Sequence, residues 1–163
     1  MPLLDLVFRY RTLMGKCELS MGLSFDEIDE LGELEALFQS DDGRRRFRRS
    51  PMAMSALIRS SKYNDHVKVT QLSAGGLECR GAPYVEEGTL VELILDVDDH
   101  SFRFSGRAVW MRDDGADYRV AFAFEGTPVM VQGVLPTMAT TSASTSATSK
   151  LMSTIYQRLS VAA

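Results

Sequence analysis

A chain of 163 residues with a formal net charge of −4 and a pI near 5.2 has room for one domain of ordinary size with helical additions. Its 45% hydrophobic and 25% charged residues are those of a folded globular protein. The acidic balance excludes wholesale binding to DNA or an anionic membrane, which takes a basic excess over the whole domain, so any anion site must be local.

The N-terminal stretch MPLLDLVFRYRTLMGK carries Asp5 and Arg9 inside its apolar run and has no small-residue cleavage site, so it does not read as a signal peptide. Leu3, Leu6, Val7, Tyr10, Leu13 and Met14 recur at helical spacing instead, and the segment Met21 to Leu23 breaks the pattern. A second helix starts at Ser24. Glu27 three residues later completes a capping box, and Leu23 with Ile28 fall at the positions of a hydrophobic staple. The spacing predicts a buried stripe of Phe25, Ile28, Leu31, Leu34, Leu37 and Phe38. Asp26, Asp29, Glu30, Glu33 and Glu35 read as solvated charge rather than as a metal site. Residues 1–42 thus form a helical extension.

The stretch DDGRRRFRRSP follows, with five arginines between Arg44 and Arg49 and only Phe47 interrupting them. Three partners compete for so dense a cation: a phosphate-bearing ligand, a nucleic acid, or water together with the acidic stretch from Asp26 to Asp42.

From Pro51 onward the period becomes alternating. Val67 and Val69; Val91, Leu93, Leu95 and Val97; Phe102, Phe104, Ala108 and Trp110; and Tyr118, Val120, Phe122 and Phe124 each define a strand, with the aromatic residues expected in the core. RDDGAD, Arg112 to Asp117, supplies a hairpin turn. Short strands joined by glycine-containing turns predict a mainly β fold, a small antiparallel barrel or sandwich over residues 43–136. TQLSAGGLEC, Thr70 to Cys79, ends the strand of Val67 and Val69; Ser73 offers a hydroxyl, and Gly75 with Gly76 allows close backbone approach, which taken alone reads as a plain hairpin ahead of a binding loop. Residues 137–149 are almost wholly Thr, Ser and Ala and read as a linker. Lys150 to Val161, with Leu151, Met152, Ile155, Tyr156 and Leu159, predicts a C-terminal amphipathic helix over 150–163 that docks on the barrel or on a partner.

Taken together, the arginine run and QLSAGG resemble the bacterial PilZ family of cyclic di-GMP receptors, marked by R-x-x-x-R ahead of a six-stranded barrel and [DN]-x-S-x-x-G on its early strands. Arg45 and Arg49 fit the first motif; Ser73 and Gly76 fit the second. GRAVWMRDDGADYRVAFAFEG, Gly106 to Gly126, is similar to the closing hairpin of such domains. Gln71 stands where the family has Asp or Asn, keeping a carbonyl acceptor on a side chain one methylene longer. The resemblance implies a six-stranded antiparallel barrel and a ligand site of Arg44, Arg45, Arg49, Gln71, Ser73, Gly75 and Gly76. Guanidinium forks suit that ligand, making charge-assisted bidentate contacts with phosphate and with guanine O6 and N7.

Chemistry of other kinds finds little footing. Cys17 and Cys79 fit no metal spacing and read as inert small hydrophobes; His66 and His100 are far apart and read as exposed turn residues. No catalytic triad, phosphate loop or membrane-length apolar run is present in the sequence. The expectation is a non-catalytic cytoplasmic receptor for cyclic di-GMP, without cofactor or metal, relaying its signal to a protein partner. The alternatives are a PilZ-like interaction module that no longer binds the nucleotide and, less favoured, a nucleic-acid binder through Arg44 to Arg49. The first apolar stripe predicts a homodimer through the N-terminal helices, with packing on the chain's own barrel as the competing outcome.

Overall fold

A computed structural model describes residues 2–133; the Ser/Thr/Ala-rich segment and the expected C-terminal helix lie outside them. Two helices, α1 (Leu3–Glu18) and α2 (Phe25–Phe38), precede six strands: β1 (Ser50–Arg59), β2 (Asn64–Ser73), β3 (Gly76–Ala82), β4 (Leu90–Val97), β5 (His100–Asp113) and β6 (Tyr118–Gln132). The strands pair antiparallel in the order β1-β2-β3-β6-β5-β4, and β1 pairs with β4 to close the barrel. Closure leaves no open edge, which suits a sheet this small. The β5–β6 hairpin turns where RDDGAD predicts: Gly115 adopts a φ of 91°, and its N–H donates to Asp113 Oδ1 at 2.9 Å.

The barrel interior takes the inward residues of every strand, among them Ile58, Val69, Leu72, Leu93, Leu95, Phe102, Phe104, Val120 and Phe122. α1 joins that core. Val7, Tyr10 and Leu13 are fully buried, Phe8 meets Phe102 edge to face at 5.5 Å, and a Cβ on Gly15 would collide with Thr127 of β6. Of the stripe that could seek a second copy, Val7, Tyr10 and Leu13 are covered by the chain's own barrel and α2, while Leu3, Leu6 and Met14 are only half-buried. The capping box of Ser24 and Glu27 is formed, both bonds present.

Four expectations need correction. α2 buries only Leu34 and Phe38 of its predicted stripe, with Leu31 half-buried; Phe25, Ile28 and Leu37 face outward. The helix carries apolar residues on two sides, and only one side meets α1 and the barrel. Trp110 leaves the core, because a bulge between Ala108 and Trp110 sets two β5 residues against one of β6 and reverses the alternation. His66 lies within β2, opposite Leu57, and His100 opens β5, half-buried beside Phe102 and paired with Asp99 at 2.6 Å, so neither is a turn residue. Cys17 is exposed near the end of α1, whereas Cys79 is buried in the barrel, its thiol pushed up to about 12 by that burial.

Candidate functional site

Strict alternation from Val67 and Val69 would send Gln71 into the barrel. A second bulge, between Val69 and Gln71, prevents it: Val69 opposes Cys79, while Gln71 opposes Glu78. Leu72 takes the interior position, and Gln71 and Glu78 turn to the outer face. There they line a concavity of about 210 Å³ with Arg49, Ser73, Gly75, Gly76 and Trp110. Each of the two bulges thus re-aims one side chain, Gln71 and Trp110, toward the same depression.

The β2–β3 turn at its rim is tightly built. Ser73 Oγ donates to the Gly76 carbonyl at 3.2 Å and accepts from Gly75 N–H at 3.3 Å, so the hydroxyl fixes the turn. A Cβ on Gly76 would lie 2.0 Å from the Phe122 carbonyl oxygen, so only glycine lets β3 and β6 approach this closely. Gly75 has a different reason: the Phe47 ring sits where its Cβ would be, 2.8 Å away.

That ring comes from the arginine run and anchors it. Phe47 bridges to Gln39 just after α2, the Arg48 N–H donates to the Phe38 carbonyl at 2.8 Å, and Tyr10 of α1 meets Phe47 edge to face at 5.6 Å. Beyond the anchor, Arg49 immediately precedes β1 and stands at the concavity, its Nη1 3.7 Å from Glu78 Oε2. Glu78 Oε1 accepts from Arg119. The Glu78 carboxylate is only 7% exposed, and two guanidinium groups compensate its charge.

Of the residues expected at the site, the structure brings together Arg49, Gln71, Ser73, Gly75 and Gly76. Arg44 and Arg45 are not in its walls. Asp42 Oδ1 accepts from both of their backbone N–H groups, at 3.1 and 3.2 Å, and this turn directs Arg45 into a separate groove beside Glu35 and Ala36 of α2. The Ser40 hydroxyl and those N–H groups hold the Asp42 carboxyl below its usual range. Arg46 pairs with Glu35 at 3.6 Å and lies over the Phe47 ring. Sequence reading missed Glu78, Arg119 and Trp110. A lone Glu in an apolar strand was the available signal for the first; the bulges that turn Gln71 and Trp110 to the outer face leave no mark in the alternation.

Residues 43–132, more than half of the chain, match the model of the PilZ domain family. Two solved structures are similar. One is the Bacillus subtilis inhibitor of motility, MotI/DgrA, at 15% identity and a TM-score of 0.45, covering 52% of this chain and 44% of that one. The other is the Borreliella burgdorferi PlzA protein in complex with c-di-GMP, at 14% identity and a TM-score of 0.40, covering 64% of this chain and 43% of that one. The matched region spans less than half the length of either. No curated protein matches the chain. With the family's model matched from the arginine run through to the last strand of the closed barrel, the chain belongs to the PilZ domain family.

Proposed function

We propose that this protein is a non-catalytic cytoplasmic receptor for cyclic di-GMP. The observation that carries the reading is the convergence of Arg49, Gln71 and the Ser73–Gly76 turn on one concavity of the barrel wall, reached from two separate stretches of sequence. A ligand with two phosphates and two guanines needs more cations than Arg49 alone. Arg44 and Arg45 complete the site when residues 43–46 close over the depression, pivoting on Phe47. Closure removes Arg46 from Glu35 and Arg45 from the α2 groove, so binding at the barrel is felt at α2 and by a protein partner that reads it. Light scattering at tens of micromolar tests the expected homodimer through the N-terminal helices, where Leu3, Leu6 and Met14 of α1 are only half-buried and Phe25, Ile28 and Leu37 of α2 are exposed.

Calorimetric titration of the full chain with cyclic di-GMP tests the proposal. Losing a charge-assisted contact costs roughly 1.5–3 kcal/mol, so Arg49→Ala weakens binding by about ten-fold or more. Wild-type affinity in both Arg49→Ala and Arg45→Ala defeats it. One observation favours the second reading, a module without nucleotide: Arg49 already faces a buried carboxylate. Absence of any heat with cyclic di-GMP selects that reading, and binding of duplex DNA that falls steeply with salt would select the nucleic-acid reading.

A further inference from the structure

Two oxygen acceptors at the concavity make no hydrogen bond among the described residues. Gln71 Oε1 is buried and has no hydrogen-bond partner among the described residues. Glu78 Oε1 is taken by Arg119, but Glu78 Oε2 has only Arg49 Nη1 at 3.7 Å, beyond hydrogen-bond length. The bulge between Val69 and Gln71 makes these two residues direct cross-strand partners. The two residues therefore share one outer wall, and Arg49, a donor with no acceptor capacity, lines the same concavity.

We propose that Glu78 and Gln71 together read the guanine edge of the ligand and set its base specificity. Guanine presents along one edge a 2-amino group, an N1–H and O6: two donors and then an acceptor. The wall carries two acceptors and a donor to answer them, in Gln71 Oε1, Glu78 Oε2 and Arg49. Adenine offers a ring-nitrogen acceptor where guanine has N1–H, which would face a carboxylate oxygen with no proton between them. Hypoxanthine keeps N1–H and O6 but lacks the 2-amino group and leaves one acceptor unfilled. The carboxylate that position 71 lacks is thus supplied from across the ladder by Glu78. This inference rests on the receptor reading and deepens it.

Substituting Glu78→Gln leaves one oxygen for Arg119 and turns an amide N–H donor toward the ligand, so a donor meets guanine's donor edge. The experiment is calorimetry on the full chain with cyclic di-GMP, its hypoxanthine analogue cyclic di-IMP, and cyclic di-AMP. The expected result is a loss of about ten-fold for cyclic di-IMP, a larger loss for cyclic di-AMP, and a narrowed preference for guanine in Glu78→Gln. Equal binding of the guanine and hypoxanthine ligands by the wild type overturns the inference while leaving the receptor reading intact. So does a Glu78→Gln protein that binds all three ligands more tightly with unchanged ratios, since Glu78 would then be a competitor for Arg49. If Glu78→Gln does not fold, the wild-type series decides, with Gln71→Leu expected to lose the preference for guanine over hypoxanthine. No binding of any cyclic dinucleotide removes the receptor reading and this inference with it.

Discussion

At position 71 a single side chain separates this chain from its family's motif, and the ladder decides what a reversion would do. Gln71 directly opposes Glu78, whose carboxylate is buried and already engages Arg49 and Arg119. An aspartate at 71 brings a second negative charge onto the same wall, and like charges directly opposite across a ladder are destabilising. Gln71→Asp is therefore expected to lower stability by roughly 0.5–1 kcal/mol and to weaken cyclic di-GMP binding, although it restores the motif. Denaturant melts and calorimetry on the variant check both. Tighter binding by Gln71→Asp would show that the two positions do not act on one group. Glutamine here reads as an adaptation to the neighbouring glutamate: it keeps an acceptor and omits the charge.

Among the elements, the arginine loop does most to connect site and helices. Phe47 is its fixed point, packed on Gly75 of the β2–β3 turn on one side and on Tyr10 of α1 on the other, while Tyr10 also meets Phe38 of α2 at 5.7 Å. Phe47→Ala removes that shared contact. Truncation of a fully buried Phe costs more than that of a half-buried one, so a loss of roughly 2–3 kcal/mol is expected, together with weaker ligand binding, since Arg49 is only two residues away. A variant that loses stability yet binds as the wild type does would mean that the loop needs no anchor. The elements also show where sequence reading reached its limit. α2's start was legible, because Ser24 and Glu27 satisfy backbone donors locally and need no tertiary partner. Its buried side was not, because Phe25, Ile28 and Leu37 are as apolar as Leu34 and Phe38, and only the barrel selects between them. Four strands were legible because alternating apolar residues are written in each strand's own sequence. The motif residues could be located, but the wall they share with Glu78 and Trp110 depends on two bulges, and a bulge is a property of a strand pair, invisible in either strand alone.

Over the whole molecule, α2 is the part held by charge. Leu34 and Phe38 are its only buried side chains, whereas Arg9 of α1 grips Glu30 through two hydrogen bonds of 2.8 and 2.7 Å, and Lys16 pairs with Glu27. Hydrogen bonds from Lys16 and from the Ser24 backbone hold the Glu27 carboxyl below its ordinary value of 4.5, and Arg9 does the same for Glu30. Both pKa values are depressed in the folded state. Their stabilisation is therefore complete above about 4.5 and is lost as pH falls through the lower, folded values. The barrel's own lowered carboxyls, Asp114 beside Arg80 and Glu125 beside Arg107, lie on its exposed surface, and its buried residues are almost all apolar. Acidification is thus expected to release α2 from α1 before the barrel opens. Amide exchange followed from about pH 6 down to about pH 3 reads this directly: protection of α2 falls while that of β2, β5 and β6 persists. A Glu27→Gln/Glu30→Gln protein should show weak α2 protection already near neutrality, with little further change on acidification. Simultaneous loss of α2 and barrel protection in the natural chain would mean that the two ion pairs are incidental and that apolar packing of Leu34 and Phe38 alone holds the helix. Because Arg46 contacts Glu35 on this same helix, an α2 already released by acid also leaves the arginine loop with one tether fewer, so ligand binding and low pH are expected to loosen the same element.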